Sequence, residues 1–448
     1  MPIDGYPITN YINYKSRTML TPIIREDLLY YIWKTKTFEK TNLKTEDGQR
    51  IEIIQFGTQN FDSGPDFSNG KIKIGDTLWA GNIEMHVYSS DWERHCHDLD
   101  KAYDNVILHV VFEHDKEVYT TTEQHIPCLE LKERISKPIL HKYSQLLAND
   151  NWIPCEKLIS NVKQHTITFW LQRLVAERIE SKTGYLKKIL DQTNTNWEET
   201  LYIYLSRYMG ARVNMDPFES LAKSLPYVLL QKNKDDLHKI EALLYGQSGM
   251  LEANYKEEYF KKLKEEYHFL KNKYTLKSIP PISWKFARMR PVGFPTIRIA
   301  QLAQILFNND RLFSRIILED DSKELRKLFK VKTSPYWDEH YRFGKSAKFK
   351  EKNVGDTFID QLIINVICPI VFLYGKYIAD ENYCERAIGH LEMIKAEENN
   401  IVRKFKSIGV SCKTASESQA LIQLKNSYCN EKQCVSCSIG SSIIKQNE

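Results

Sequence analysis

The sequence predicts an α+β protein in which a sheet-forming N-terminal part precedes a mainly helical region and a cysteine-rich tail. Residues 71–74 and 83–87 alternate between apolar and polar side chains, which is the period of a half-buried strand. Residues 106–112 form a continuous apolar run rich in β-branched side chains, typical of a strand buried on both faces. From about residue 160 to 275 the apolar residues recur at three- and four-residue spacing instead, which predicts long helices.

The length and composition indicate a globular protein of several domains. A chain of 448 residues exceeds one average domain, and we expect three: residues 1–155, 156–378 and 379–448. Hydrophobic residues make up 42% and charged residues 27%, which excludes wholesale disorder. The net charge of +5 permits a polyanionic partner without requiring one.

The expected location is the cytoplasm. The first residues lack the charged start and apolar run of a signal peptide. The longest apolar stretch, residues 362–374, is too short to span a bilayer and contains Pro369, so we expect a buried helix and no membrane contact. Nine cysteines, mostly scattered, suit a reducing compartment. The sequence does not indicate an oligomeric state.

The N-terminal part should contain a helix, a strand, a two-stranded hairpin, a second helix and a further strand. The apolar stripe within residues 22–40 predicts the first helix, and Gly75-Asp76 supplies the hairpin turn. Ser90 or Asp91 is a candidate cap for the second helix. A last short strand is expected at residues 125–131.

Acids and histidines are concentrated between residues 62 and 115. Residues two apart on a strand point to the same side, so Glu84 and His86 should project together. Asp66 directly precedes the first hairpin strand, which brings its carboxylate towards one end of the strand that carries Glu84. Two such carboxylates suit Mg²⁺ or Mn²⁺, and His86 beside them could assist an attacking water. This arrangement predicts metal-assisted hydrolysis of phosphodiesters.

From the first helix to residue 112 the sequence resembles the PD-(D/E)XK nuclease superfamily. Pro65-Asp66 matches the Pro-Asp before the second strand, and Glu84-Met85-His86 matches the acidic residue, any residue and lysine of the third. The resemblance implies a restriction-endonuclease-like αβββαβ domain that cleaves DNA or RNA. It departs from the pattern at His86, because a histidine can act as a base but is a weaker electrostatic clamp than lysine. Glu26 matches the superfamily's helix acid weakly, since Asp27 and Glu39 compete.

His95 and His97 have a role that depends on the local backbone. On a strand or turn, both can bind a transition metal with Asp98 or Asp100, which would indicate a zinc-dependent hydrolase. On a helix they would diverge. A mismatch-repair type of PD-(D/E)XK relative uses histidines beside an aspartate, so the pair also fits a nuclease. His109, within a buried strand, is expected to be a hydrogen-bonded core residue.

Read as a whole, the chain resembles an uncharacterised bacterial family, the domain of unknown function numbered 2851. The resemblance extends over nearly the whole chain and is carried by the stretches LLYYIWK, GPDF, WAGNIEMHVYSSDWERHCHD, YDNVILHVVFEHD, EALLYGQSG, WKFARMRP, FPTIRIAQLA and YCNEKQCVSCSIG. The family supplies no activity, so the functional prediction depends on the site residues.

Residues 284–298 interleave basic and aromatic side chains. Lys285, Arg288, Arg290 and Arg298 suit phosphate contacts, and the neighbouring aromatic residues suit base stacking. The alternative is a surface loop whose aromatic residues anchor it while the basic residues stay solvated. A non-catalytic nucleic-acid-binding protein or scaffold with a degenerate nuclease fold is therefore the second hypothesis.

The tail carries three cysteines at metal-binding spacing. Cys429, Cys434 and Cys437 follow the pattern C-x4-C-x2-C, which suits zinc or an iron–sulfur cluster. A fourth ligand is missing locally, and Cys412, Cys384 or a histidine could supply it. The alternative is three reduced cysteines without a metal.

Overall fold

The computed structural model describes residues 23–445, which form two compact units. The first unit contains the described residues up to Ile167 and those from Asn426 onward, and the second spans Thr168–Lys425. The cysteine-bearing tail therefore belongs to the same unit as the N-terminal sheet. The three domain ranges expected from the sequence stay a prediction.

The first unit contains most of the strands of the described chain. Its elements up to residue 148 are α1 (Glu26–Thr35), β1 (Ile51–Gln55), β2 (Thr58–Gln59), β3 (Phe67–Ile74), β4 (Thr77–Tyr88), α2 (Asp91–Arg94), β5 (Val106–Glu113), β6 (Cys128–Glu130) and α3 (Lys137–Ala148). The mixed α+β class expected from the sequence is confirmed.

The sheet is mixed, with the order β1-β3-β4-β5-β6, and β2 pairs with β3. The pairs β1–β3 and β3–β4 are antiparallel, and Gly75-Asp76 closes the tight hairpin that joins β3 to β4. The pairs β4–β5 and β5–β6 are parallel. β5 is buried along almost its whole length, which explains its continuous apolar sequence. β4 and β5 are thus the central strands.

α1 covers the sheet at β4. Its buried face includes Leu28, Leu29, Ile32 and Trp33, at helical spacing. The Trp33 indole N–H donates to the carbonyl of Phe56, which ties the helix to the loop after β1. The helix ends earlier than its periodicity suggested, because Lys36 adopts a left-handed conformation.

The second helix expected to begin at Ser90 or Asp91 is present only as the single turn α2. Cys96 then adopts a positive φ of 61°, and two short 3₁₀ turns follow at His97–Leu99 and Lys101–Tyr103. Asp91 stabilises the start of the turn, because its carboxylate accepts from the Tyr88 N–H and pairs with Arg94. The segment is therefore a compact turn and not a helix.

The second unit is helical. Its elements are α4 (Gln164–Gln192, which contains the unit boundary), α5 (Trp197–Met209), α6 (Ala211–Ser224), α7 (Tyr227–Lys232), α8 (Leu237–Gln247), α9 (Glu258–Tyr274), α10 (Pro295–Asn308), α11 (Leu312–Leu318), α12 (Ser322–Lys327), β7 (His340–Arg342), β8 (Lys345–Ser346), α13 (Asp356–Leu362), α14 (Cys368–Ile378), α15 (Glu381–Glu392), α16 (Asn400–Ser407) and α17 (Ala415–Gln423). The last helix, α18 (Ser438–Lys445), belongs to the first unit.

One apolar helix runs through α13 and α14, from Asp356 to Ile378. A π-helical turn at Ile363–Ile367 joins the two parts just before Pro369, whose missing N–H cannot continue the ladder. By length and composition it is the one helix of the described residues that could cross a membrane, and 72% of its most apolar window is buried inside the protein. Such burial is typical of a core helix.

Candidate functional site

Asp66 and Glu84 lie together where β3 begins beside β4. The backbone N–H of Asp66 donates to Glu84 Oε2 at 2.9 Å, and the backbone N–H of Met85 donates to Asp66 Oδ2 at 3.0 Å. The two carboxylates are therefore held by reciprocal backbone hydrogen bonds across the β3–β4 pair. Glu84 is 4% exposed, whereas Asp66 is partly open to solvent.

The environment of this pair disfavours two negative charges. Burial, and then the charge of Glu84, raise the pKa of Asp66. Burial also raises the pKa of Glu84. Within residues 23–445 no lysine or arginine forms an ion pair with either carboxylate. A bound cation would supply the missing positive charge.

α1 adds a third acid to the site. Glu26 lies in its first turn, and Tyr30, one turn later, donates to Glu26 Oε2 at 3.4 Å. Burial, followed by the charge of Asp66, raises the pKa of Glu26. Burial and then Asp66 likewise raise the pKa of Tyr30. Three acids and a tyrosine thus converge from α1, β3 and β4.

The competing acids of the first helix have other partners. Asp27 accepts a hydrogen bond from the Tyr143 hydroxyl of α3. Glu39 lies beyond α1 and accepts from Thr41 at the surface. The sequence did not decide between these acids, because the rotational position of α1 on the sheet is set by packing at its apolar face.

His86 lies at the centre of a chain of histidines. Its Nδ1 is 2.8 Å from His109 Nε2, and its Nε2 is 3.1 Å from His95 Nδ1. His109 on β5 faces Glu84 in the register of the parallel pair and is fully buried, in agreement with its expected role as a hydrogen-bonded core residue. Burial, and then the neighbouring histidines, lower the pKa of His86 to about 2. His86 is therefore a neutral imidazole.

The turn after α2 brings His95 and His97 to His86. The left-handed Cys96 between them reverses the backbone, so the two rings converge instead of diverging as on a helix. The ligand nitrogens of the three histidines lie within 4.8 Å of one another. His97 stacks on Tyr103, with ring centroids 3.7 Å apart.

Glu84 connects the carboxylates to the histidines. Its Oε1 is 3.3 Å from His97 Nε2 and 3.7 Å from His86 Nε2. Burial lowers the pKa of His97, so this contact is between a carboxyl group and an imidazole of reduced basicity. Tetrahedral ligands bound at about 2.0–2.2 Å from zinc stand roughly 3.3 Å apart, close to these separations. The structure thus brings the nitrogens of His86, His95 and His97 together as one candidate metal-ligand group, with Glu84 beside it. Asp66 is connected to Glu84 through the backbone hydrogen bonds.

The other predicted site residues lie elsewhere. Asp98 and Asp100 remain on the turn, where Asp100 accepts from the Ala102 N–H. In the second unit, Lys285, Arg288 and Arg290 are exposed, whereas the neighbouring aromatic residue Trp284 is buried and donates to the Ser248 carbonyl.

Arg298 differs from the other three basic residues. Its guanidinium lies 3.4 Å from the ring centroid of Phe358 and donates to Gln301. Burial lowers its pKa to about 10. Arg298 therefore has a packing role in α10, although in the sequence it stands among aromatic residues as Arg288 and Arg290 do.

Comparison with known proteins places the chain in a family. No curated protein and no solved structure matches the sequence. The family model described as "Protein of unknown function (DUF2851)" matches residues 26–400, which is most of the chain and includes every acid and histidine of the site. The chain therefore belongs to the DUF2851 family.

Proposed function

We propose that the first unit is a metal-dependent hydrolase of nucleic acid phosphodiesters, with Asp66 and Glu84 as ligands of Mg²⁺ or Mn²⁺. The main support is the pair of reciprocal backbone hydrogen bonds, here called the clamp, that hold the Asp66 and Glu84 carboxylates across the β3–β4 pair. The clamp holds two acids together in surroundings that disfavour their charge, which costs stability unless a cation binds.

The order and pairing of the elements support a restriction-endonuclease-like fold. Helix α1 is followed by the three longer antiparallel strands β1, β3 and β4, the turn at α2, and a strand parallel to β4. In this arrangement Asp66 directly precedes the second of these strands, β3, and Glu84 lies within the third, β4. Glu26 on α1 takes the position of the helix acid of the PD-(D/E)XK superfamily.

His86 acts differently from the lysine that the superfamily has at this position. As a neutral imidazole it offers no positive charge to a phosphate. Its lowered pKa makes it a weak base, so it is better suited to bind a metal through Nε2 while Nδ1 stays hydrogen-bonded to His109. The metal would polarise the phosphoryl oxygen and lower the pKa of water. His97, beside Glu84, is positioned to accept or donate a proton.

The substrate class is inferred from the fold resemblance and from the exposed basic residues Lys285, Arg288 and Arg290. Cationic side chains of this kind contact phosphates regardless of base sequence. Arg298 is left out of this surface because its guanidinium is packed on Phe358.

Cleavage of labelled single- and double-stranded DNA and RNA with Mg²⁺ or Mn²⁺ tests the proposal. We expect wild type to cleave at least one of these and Glu84→Ala to be inactive. Glu93→Ala serves as the matched control, since Glu93 lies on the same unit but pairs with Lys116 at the surface. Equal activity in wild type and Glu84→Ala, or none on any substrate, would contradict it.

A non-catalytic nucleic-acid-binding role predicts another pattern. Salt-dependent binding would then survive Glu84→Ala and fail when Arg288 and Arg290 are both replaced by Ala, without cleavage in any variant.

The histidine geometry favours a second candidate, a zinc-dependent hydrolase. The three histidine nitrogens lie within 4.8 Å of one another, and Glu84 Oε1 lies 3.3 Å from His97 Nε2 and 3.7 Å from His86 Nε2, so these groups could share one zinc ion. Metal analysis of the purified chain separates the candidates. Zinc that is lost in His97→Ala but retained in Cys434→Ser would favour this alternative, and Mg²⁺- or Mn²⁺-dependent cleavage by zinc-free protein would exclude it.

A further inference from the structure

Two tail cysteines are placed close to a cysteine from the N-terminal part of the chain. Cys434 and Cys437 precede α18, which packs against α3 and against the short 3₁₀ turn at Ile159–Asn161. Cys155 lies between these two elements, and its carbonyl accepts from the N–H groups of Leu158 and Ile159. The three thiols therefore belong to segments that pack against one another.

These three thiols are buried and influence one another. Cys155 and Cys434 are each 7% exposed, and Cys437 is 6% exposed. Burial, then Cys437, then Cys434 raise the pKa of Cys155. Burial and then Cys437 raise the pKa of Cys434 to about 12. Cys128, equally buried in β6, has the carboxylates of Glu46 and Glu130 as neighbours instead.

A turn in the tail connects Cys429 to the segment that carries Cys434 and Cys437. The Gln433 N–H donates to the Tyr428 carbonyl, and the Lys432 N–H donates to the Cys429 carbonyl, which reverses the chain before Cys434. Lys432 Nζ donates to the Leu147 carbonyl at the end of α3. The turn is thereby fixed to the segment that leads to Cys155.

We propose that Cys155, Cys429, Cys434 and Cys437 form one four-thiolate site that binds a thiophilic metal group, either a zinc ion or an iron–sulfur cluster. Cys155 supplies the fourth ligand that the tail lacks. Cys384 and Cys412, the candidates suggested by the sequence, belong to the second unit, and Cys384 contacts the Phe372 carbonyl. On binding zinc, four thiols lose four protons to solvent and form four sulfur–metal bonds.

The site would also fix the helix that carries Glu26. Tyr143 of α3 donates to Asp27, and the Ser441 hydroxyl of α18 is 3.3 Å from the Tyr31 hydroxyl. Asp27 and Tyr31 thus face the tail, while Glu26 and Tyr30 face Asp66. The metal group would stabilise α18 and α3 on the side of α1 that carries Asp27 and Tyr31. The proposal does not depend on the hydrolase activity.

Metal content of the full chain, purified without oxygen, tests the site. Wild type should contain about one zinc, or several irons with acid-labile sulfide and visible sulfur-to-iron absorption. The metal content per chain should be at least tenfold lower in Cys155→Ala and in Cys434→Ala than in wild type. Cys128→Ala should have the wild-type content. Full metal content in Cys155→Ala would overturn the proposal, as would wild type that contains neither metal and binds no added zinc.

A second measurement uses only the wild-type chain, so it does not depend on how the variants fold. Native protein is alkylated before and after treatment with a chelator, and each cysteine is quantified by peptide mass spectrometry. The four cysteines should become reactive together after chelation, while Cys128 stays protected. If the tail cysteines become more reactive while the reactivity of Cys155 is unchanged, the shared site is refuted.

The variant Glu84→Ala should keep the thiolate-bound metal, which separates this result from failure of the hydrolase proposal.

Discussion

Replacing Glu84 by Gln should make the metal-free protein more stable and abolish its stabilisation by Mn²⁺. The Gln side chain keeps the size of Glu84, and its amide oxygen can still accept the N–H of Asp66. The substitution removes one of two negative charges in the clamp. Both effects are expected if the two negative charges destabilise the metal-free protein and a bound cation neutralises them.

The sign of the pH dependence follows from the raised pKa values of Asp66 and Glu84. The folded protein holds protons on these groups that the unfolded chain has already released, so stability falls as pH rises above about 4. A tenfold change in proton affinity corresponds to about 1.4 kcal/mol. A tenfold change on each of the two carboxyls would therefore cost about 3 kcal/mol at pH 8, and Glu84→Gln should recover about half of that or more. For a unit of this size each kcal/mol shifts Tm by about 2–4 °C.

Thermal unfolding at pH 5 and pH 8, with and without Mn²⁺, measures these effects. Wild type should lose stability between pH 5 and 8 without metal, and Mn²⁺ at a hundred times its Kd should add about 2.7 kcal/mol. Glu130→Gln is the control, because Glu130 also accepts a backbone N–H, from His114. If Glu84→Gln is less stable than wild type at pH 8 without metal, or is stabilised equally by Mn²⁺, the reasoning is wrong.

Three further predictions follow from the same geometry. Mn²⁺ affinity measured by calorimetry should rise about tenfold or more from pH 6 to pH 8, because binding displaces protons from the two site carboxyls; a flat profile would contradict this. His109→Leu should weaken metal binding by about 10–100-fold through loss of the partner that orients His86, and unchanged affinity would exclude this role. Gly81→Ala should destabilise the protein by about 1–3 kcal/mol in urea unfolding, since the new Cβ would lie 2.6 Å from the Asn105 carbonyl oxygen. Gly389→Ala is the control, because a Cβ there would have no atom within 4 Å. Equal stability of the two variants would refute the clash at Gly81.

The strands and the central acids could be predicted from the sequence because their signals are local. Alternation fixes which strand residues share a face, and this placed Glu84 and His86 together. A hairpin with a tight turn fixes the register of its strands, and this brought Asp66 to Glu84.

The rest of the site depends on information that spacing alone does not contain. His95 and His97 converge because Cys96 adopts a left-handed conformation, which a non-glycine residue rarely shows. The sequence did not show which acid of the first helix joins the site, because this depends on how the apolar face of α1 packs on the sheet. Cys155 was unrecognised because its approach to the tail depends on the docking of α18 against α3, across most of the chain.

A crystal structure of the chain grown with Mn²⁺, with anomalous scattering to locate the metal, would show whether Asp66 and Glu84 share a metal ion. We predict a Mn²⁺ ion about 2 Å from a carboxylate oxygen of both Asp66 and Glu84, with the histidine group beside it. Under the same conditions the Glu84→Gln crystal should lack this ion. Wild-type crystals without a peak at these carboxylates, while Mn²⁺ occupies other sites, would contradict the account.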